Sequence, residues 1–526
     1  MEKTGLKIQK EIYSNLKERA FSYEGRPSQL LQTYRDDHNF YSQRDFSISN
    51  LSTMLKQITR AQVTYLGDFH TYDQNPRNFL RIIRTLVSNQ RPFKIGLEMI
   101  HYQDTHLIDA FLNDHITELE FLESIHYHDS WRFPWNHYKI LFDEARKYQI
   151  PVIGLNSRGN LEKRDQKAAE IIQDNLTRDP NSLFLILFGE LHLSPNRLPQ
   201  KVQEATTDIK IEQVIIHQNL DEVYWKLEPE LTGNEVNVVQ FNKGEFCLIS
   251  SPPWLKYESM CYWYESLMDD PEYDIHNYII EKGAKTFNYS THENFQSLFL
   301  SLTFQLKLQH QQIDQDFNLY DHTRLSYLSD KIGQYQNPSL QSYLQSLLKS
   351  NKSFVIPDSN ILYCGNYSLN KMAKLAGKFY FQKQLNFSIQ ELLSSPDNKK
   401  IFLFLIMNHF FSYLFAKVLN PHLKCDLYQD LLQRRNWPTH EEAHSAKIAL
   451  QTFQELAYPD DENSLILFHH SAKFIAEILA ENFYHSLSAL PTVLPTFLDI
   501  QNLELKNLFS LILKDQNYTK QKKRTF

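Results

Sequence analysis

The sequence predicts an α/β fold, a largely parallel sheet flanked by helices, followed by an α-rich second domain. Three observations predict it. From residue 61 short apolar runs alternate with longer amphipathic segments, the pattern of successive βαβ units. The runs are rich in β-branched and aromatic residues and end in polar or glycine-containing turns. Beyond about residue 255 the apolar period is mostly helical, with long segments and one short hairpin.

Taken in order, residues 1–60 form a helical lead-in, amphipathic over 11–21 and 51–58. Strands are predicted at Val63–Leu66, Phe93–Leu97, Pro151–Leu155, Leu183–Phe188 and Glu212–Ile216. Between them the spacing predicts helices over Asn78–Ser88, Asp104–Leu112, His137–Tyr148 and Asp165–Asn175. Val236–Phe241 and Glu245–Ser250 flank Asn242-Lys243-Gly244 and read as a hairpin closing the domain. Pro252-Pro253 marks the expected boundary, giving an α/β domain over 61–255 and an α-rich domain of unknown function over 256–526. In the latter, helices are expected at Phe295–Leu308, Lys399–Leu419, Ala443–Leu456 and Ser464–Leu490. Phe354-Val355-Ile356 and Ile361–Cys364 read as a hairpin turning through Pro357–Asn360.

Length and composition bound the function. A chain of 526 residues exceeds the size at which one core usually keeps growing. A net charge of −7, with only the tail Lys520–Arg524 locally basic, excludes the electrostatic footprint of a nucleic-acid binder. Cys247, Cys261, Cys364 and Cys425 form no CxxC pair, so neither a zinc ribbon nor a disulfide framework is indicated. Met1–Lys10 shows no apolar core and no cysteine for lipid attachment, and cytoplasmic residence is the expectation. Ile401–Leu419 is long enough to span a bilayer, but Asn408, His409, Ser412 and Lys417 interrupt it; a buried core helix is expected, and no transmembrane segment.

In an open parallel sheet the carboxyl ends of the strands share one edge, where ligands bind. The residues just after the predicted strands are strongly polar: Gly67-Asp68-Phe69-His70, Glu98, Asn156-Ser157-Arg158, Gly189-Glu190-Leu191-His192 and His217. Gly-x-x-His thus occurs twice, each time at the end of an apolar run. His70, Glu98 and His192 are suitable ligands for a divalent metal, with Asp68 or Glu190 as general base or support. Each glycine is expected to let the chain turn with a positive φ.

These residues resemble the ChaN-like haem-binding uptake proteins of the Tiki/TraB and erythromycin-esterase-like superfamily. The resemblance runs through Tyr65–His70, Gly96–Met99, Trp131-Arg132-Phe133-Pro134-Trp135-Asn136-His137-Tyr138, Ile150–Asn156 and Gly189–His192, about residues 60–220. It implies that His70, Glu98 and His192 occupy the positions that metal-dependent members use, and that the ChaN branch holds haem. Asp68 stands where many relatives carry Glu.

Trp131, Trp135, Tyr138, Asn156 and His217 are further candidates for contact with a cofactor, Trp131 and Trp135 either stacking on a porphyrin or packing under their own loop. His101, His106, His115, His126, His128 and His137 crowd one segment and read as haem contacts or solvated faces. His440-Glu441-Glu442-Ala443-His444 is a formal HExxH, but Trp437-Pro438-Thr439 places it in a first helical turn, where acidic residues serve the helix dipole. The expected cofactor is haem or a divalent metal, iron, manganese or zinc, with a small molecule or peptide as ligand and a homodimer as assembly. Three functional classes follow: a haem- or iron-binding protein, a metal-dependent hydrolase of esters or peptides, and a non-catalytic scaffold.

Overall fold

The computed structural model describes residues 2–207, 211–227, 237–268, 291–308, 317–423, 464–484 and 490–499. Contacts divide the chain into a unit of residues 10–287 and a unit of residues 288–525 with 1–9.

The first unit is α/β. Its strands are β1 (Ser47–Ser49), β2 (Val63–Asp68), β3 (Phe93–His101), β4 (Val152–Asn156), β5 (Leu183–Gly189), β6 (Gln213–Gln218), β7 (Val238–Asn242) and β8 (Glu245–Leu248). They form one sheet in the order β1-β7-β8-β6-β2-β5-β3-β4. The run from β8 to β4 is parallel throughout, while β7 pairs antiparallel with both β8 and β1. The chain leaves β2 toward one edge and leaves β5 toward the other, although these two strands are neighbours. The topological switch point therefore lies between β2 and β5, where a doubly wound sheet opens its crevice.

Alternation along the strands explains the layers. Leu66, Ile95, Leu97, Leu185, Leu187 and Ile216 face a core with Phe79 and Ile83 of the helix Gln74–Ser88 and Leu141 and Phe142 of the helix Trp135–Tyr148. Tyr65, Phe184, Ile186 and Phe188 face the opposite core, with Ala168, Ala169 and Ile172 of the helix Leu161–Arg178. Both faces are covered, so the central strands read as unbroken apolar runs. Each fully buried large side chain contributes roughly 1.5–3 kcal/mol. The helix Trp254–Met268 packs within this unit too: Tyr257 donates to Asp221 at 2.6 Å, and Tyr13 of the lead-in helix donates to the same carboxylate at 2.7 Å. The contact division falls after this helix, not at Pro252-Pro253.

The second unit is mainly helical. A small sheet joins β9 (Asn318–Tyr320), parallel, and β10 (Phe354–Val355), antiparallel, to β11 (Ile361–Tyr363). The helix Asn398–Leu419 is mostly apolar and buried from Ile401 to Leu419, its Asn408, His409, Ser412 and Lys417 included, and is packed by Leu369–Lys383 and Ser464–Tyr484. It is long and apolar enough to cross a membrane by length and composition, and its apolar window is wholly buried inside the protein. Gly377 lets Leu369–Lys383 approach it closely, since a Cβ there would fall on the carbonyl oxygen of Phe411. The HExxH at His440–His444, the predicted helix Ala443–Leu456 and Cys425 lie outside the described residues.

Candidate functional site at the carboxyl edge of the sheet

Glu98 near the end of β3 is the centre of the polar edge, with its side chain 2% exposed. The imidazole Nε2 of His70, just past β2, lies 4.0 Å from Glu98 Oε2, and that of His192, past β5, lies 3.8 Å from Oε1. Three residues from different strands are thus brought together around one carboxylate.

Each imidazole is held from behind in the same way. His70 Nδ1 lies 2.9 Å from Asp68 Oδ2, and Tyr138 donates to that oxygen at 2.7 Å. His192 Nδ1 is hydrogen-bonded to Asp165 Oδ1, and Tyr34 donates to Asp165 Oδ2 at 2.6 Å. A Tyr–Asp–His chain therefore flanks Glu98 on either side. In both chains the aspartate fixes the ring and turns Nε2 toward the crevice. The two differ in access, since the His70 side chain is 24% exposed and that of His192 only 6%.

Glu98 is further held by the guanidinium of Arg164 on Oε1 and by the backbone N–H of Gly189 on Oε2. Arg164 and Asp165 stand in the first turn of Leu161–Arg178, whose start is fixed by Asn160 accepting the N–H of Lys163. Burial opposes the charge on Glu98, but Arg164, the two imidazoles and the Gly189 N–H outweigh it and hold the carboxyl below its usual range. Burial likewise opposes protonation of His70, but Asp68 and Glu98 outweigh it and hold the imidazole above its ordinary value.

The glycines act differently from expectation. Neither Gly67 nor Gly189 has a positive φ; among described glycines only Gly25, Gly159 and Gly244 do. Gly189 is needed for room, because a Cβ there would stand 3.0 Å from Glu98 Oε2 and 3.2 Å from His70 Nε2.

The remaining predicted residues divide. Tyr138 and Asp68 belong to the His70 support, and Trp131 lies edge-on to His70 with ring centroids 4.6 Å apart. Phe133 flanks the same imidazole at 4.9 Å. Trp135 instead donates to Glu118 at 3.1 Å and packs with Phe121 and Phe142 in the core. Asn156 accepts the N–H of Ser157, and His217 pairs through Nε2 with Glu245 at 3.0 Å. Glu190 is buried with Oε2 unpartnered, and burial, offset only in part by Lys256, raises its carboxyl. Of the crowded histidines, His106, His115, His126 and His128 are exposed, while His101 caps a short helical turn. Residues that the sequence reading missed are Arg164, Asp165, Tyr34 and Phe133.

The described residues contain no group of three or more His, Cys, Asp or Glu side chains set to hold a metal ion. Arg164 accounts for part of this, since a guanidinium already neutralises the one carboxylate shared by both imidazoles.

Residues 54–167 match the family model described as haem-binding uptake, Tiki superfamily, ChaN. The match spans β2 to β4 with His70 and Glu98, and ends before His192. No curated protein matches the chain. A solved structure described as cofacial heme binding to ChaN of Campylobacter jejuni is similar at 16% identity, covering 33% of this chain and 91% of that one, with a TM-score of 0.25.

Proposed function

We propose that the carboxyl edge of the α/β unit binds haem, with His70 as the residue that meets the iron. The carrying observation is His70 itself: the most open imidazole of the cluster, fixed through Nδ1 by Asp68 and lined by Trp131 and Phe133. A bare divalent ion would need several protein ligands at once, and Glu98 is already committed to Arg164 and Gly189. Haem brings four ligands of its own and asks the protein for one imidazole and an apolar, aromatic lining. The unpartnered Asp68 Oδ1, Glu190 Oε2 and Trp131 Nε1 are buried polar atoms that a ligand with its waters could answer. When bound, haem would supply an iron centre; the protein would orient His70, with Nδ1–H donating to Asp68, and line the ring with Trp131 and Phe133.

Titration with haemin, followed at the Soret band, tests this. The wild type should show a saturable shift, weakened about tenfold or more in His70→Ala, the worth of one good ligand interaction. Affinity should also rise with pH through the elevated His70 value, because iron competes with a proton for Nε2. No saturable shift in the wild type would sink the reading.

The paired Tyr–Asp–His chains favour a second reading, hydrolysis of an ester or amide with Glu190 as base. Turnover of generic esters and peptides, with and without added Mn²⁺ or Zn²⁺ and lost in Glu190→Gln, would support it; inert wild type would remove it.

A further inference from the structure

Two loops meet at His70, and one helix outside the family match at residues 54–167 holds both. The first loop, residues 69–73, carries His70 itself. The second, residues 131–133, sets Trp131 and Phe133 against its imidazole, with ring centroids 4.6 and 4.9 Å away. The helix Trp254–Met268 reaches the first loop through Ser259, whose hydroxyl lies 3.0 Å from that of Thr71, and through Tyr257, edge-on to Phe69 at 6.2 Å. It reaches the second through Trp263. That indole stacks on Phe133 with centroids 4.7 Å and planes 27° apart, and its Nε1–H donates to the carbonyl oxygen of Arg132 at 3.0 Å.

Arg132 has a φ of +63°, a left-handed backbone that a residue other than glycine adopts at a cost and keeps only where its surroundings over-determine it. The indole N–H on its carbonyl oxygen is one such constraint, and the stack on Phe133 is a second. The helix is anchored independently of Trp263, because Asp221 accepts from Tyr257 and Tyr13 and pairs with Lys256 at 3.0 Å. Loss of the indole therefore leaves the helix in place and the loop unheld. Phe133 and Trp263 are both half-buried, so part of each ring stays open beside the imidazole. We propose that Trp263 is a positioning residue for the His70 site: it fixes residues 131–133, through them the imidazole, and so sets how tightly a flat aromatic ligand is held. Its effect on the ligand rests on the haem reading above; its effect on His70 does not.

The test compares the full chain with Trp263→Ala and Trp263→Phe by haemin titration at the Soret band and by the rate at which diethyl pyrocarbonate modifies His70. The second is read by mass spectrometry of the tryptic peptide 61–77, in which His70 is the sole histidine. Trp263→Ala should weaken haemin binding about threefold to tenfold, the worth of one aromatic pair, and should raise the His70 rate about threefold or more as Phe133 loosens. Trp263→Phe keeps a stacked ring without the N–H and should recover most of both losses. Tyr262→Ala, the exposed neighbour on the same helix, should match the wild type in both measurements. Far-UV circular dichroism checks the fold; should Trp263→Ala not fold, Trp263→Leu decides, with the same two changes expected. Unchanged affinity with an unchanged His70 rate overturns the proposal. Weaker haemin binding with an unchanged His70 rate overturns it too, by making Trp263 a ligand contact. A faster His70 rate in a chain that binds no haemin keeps the positioning role and removes the haem reading alone.

Discussion

The α/β edge and the helical unit treat buried charge in opposite ways. Around Glu98 ionisable groups are answered in series: Arg164 and two imidazoles meet the carboxylate, and Asp68 and Asp165 meet the imidazoles in turn. At Lys378, whose amine donates to the carbonyl oxygen of Ser353, burial and the neighbouring lysines by contrast both oppose the charge, among the described residues. An answered network fixes geometry, because moving one member strands the next. A half-buried amine among like charges costs stability instead.

The contrast breaks most visibly at Asp165. Asp165→Ala strips the buried Tyr34 hydroxyl and His192 Nδ1 of their acceptor at once, and should cost about 3 kcal/mol in urea unfolding. A loss below about 1 kcal/mol would mean the chain on the His192 side is dispensable.

Acidification should act through the imidazoles that burial holds low. Burial, with the neighbouring cations, holds the imidazoles of His409 and His469 below the unfolded value, so their contribution is fully present at neutral pH and lost as pH falls below about 6.5. Going to pH 5.5 should cost the helical unit about 1.4 kcal/mol for each imidazole. His70 runs the other way: its value is raised, so its contribution is fully present below about 6.5 and lost as pH rises through the folded value. Trp131, Trp135, Trp225, Trp254 and Trp263 all lie in the α/β unit, so Trp437→Phe would make tryptophan fluorescence report that unit alone. The same unit holds His38, pushed down to about 3 by burial, so its fluorescence should show acid loss as well, and unchanged stability between pH 7 and pH 5.5 in both signals would contradict the assignment.

Gly189→Ala should cost about 2 kcal/mol through overpacking against Glu98 and His70, and should lower haemin affinity. The smallest change should be a gain. Lys378→Met removes a charge that makes no ion pair among the described residues, and the helical unit should become more stable by about 1 kcal/mol in thermal melts. A loss instead would show that the Ser353 hydrogen bond matters more than the repulsion.

How much of this was legible in the sequence follows from what each feature depends on. Apolar runs such as Leu183–Phe188 mark strands because burial on both faces leaves no polar position, and a polar residue at the end of a run marks the open edge. His70, Glu98 and His192 were therefore readable as neighbours. Asp165 and Tyr34 were not, since each lies on a helix and only the fold brings Tyr34 across 131 residues to that carboxylate. Arg164 reads as one more surface cation of an amphipathic helix. At Gly189 the sequence shows a missing side chain, while only the folded chain shows that Glu98 and His70 need the space. In the helical unit the lysines of Leu369–Lys383 look like a solvated face, while the fold sets Lys378 on the carbonyl oxygen of Ser353.

The sheet order also sets a timetable for the growing chain. Ser47 at the outer edge pairs with Gln240, 193 residues later, and Tyr34 waits until Asp165 has been made. Such distant partners make ordering slow, because a large loop must close before any contact stabilises it. As the chain emerges from the ribosome, β2 to β5 can assemble the His70 and Glu98 half of the edge while the lead-in still hangs unanchored. The outermost strand joins only after β7 has been made, so residues 34–49 are made before the partners they need and settle after them.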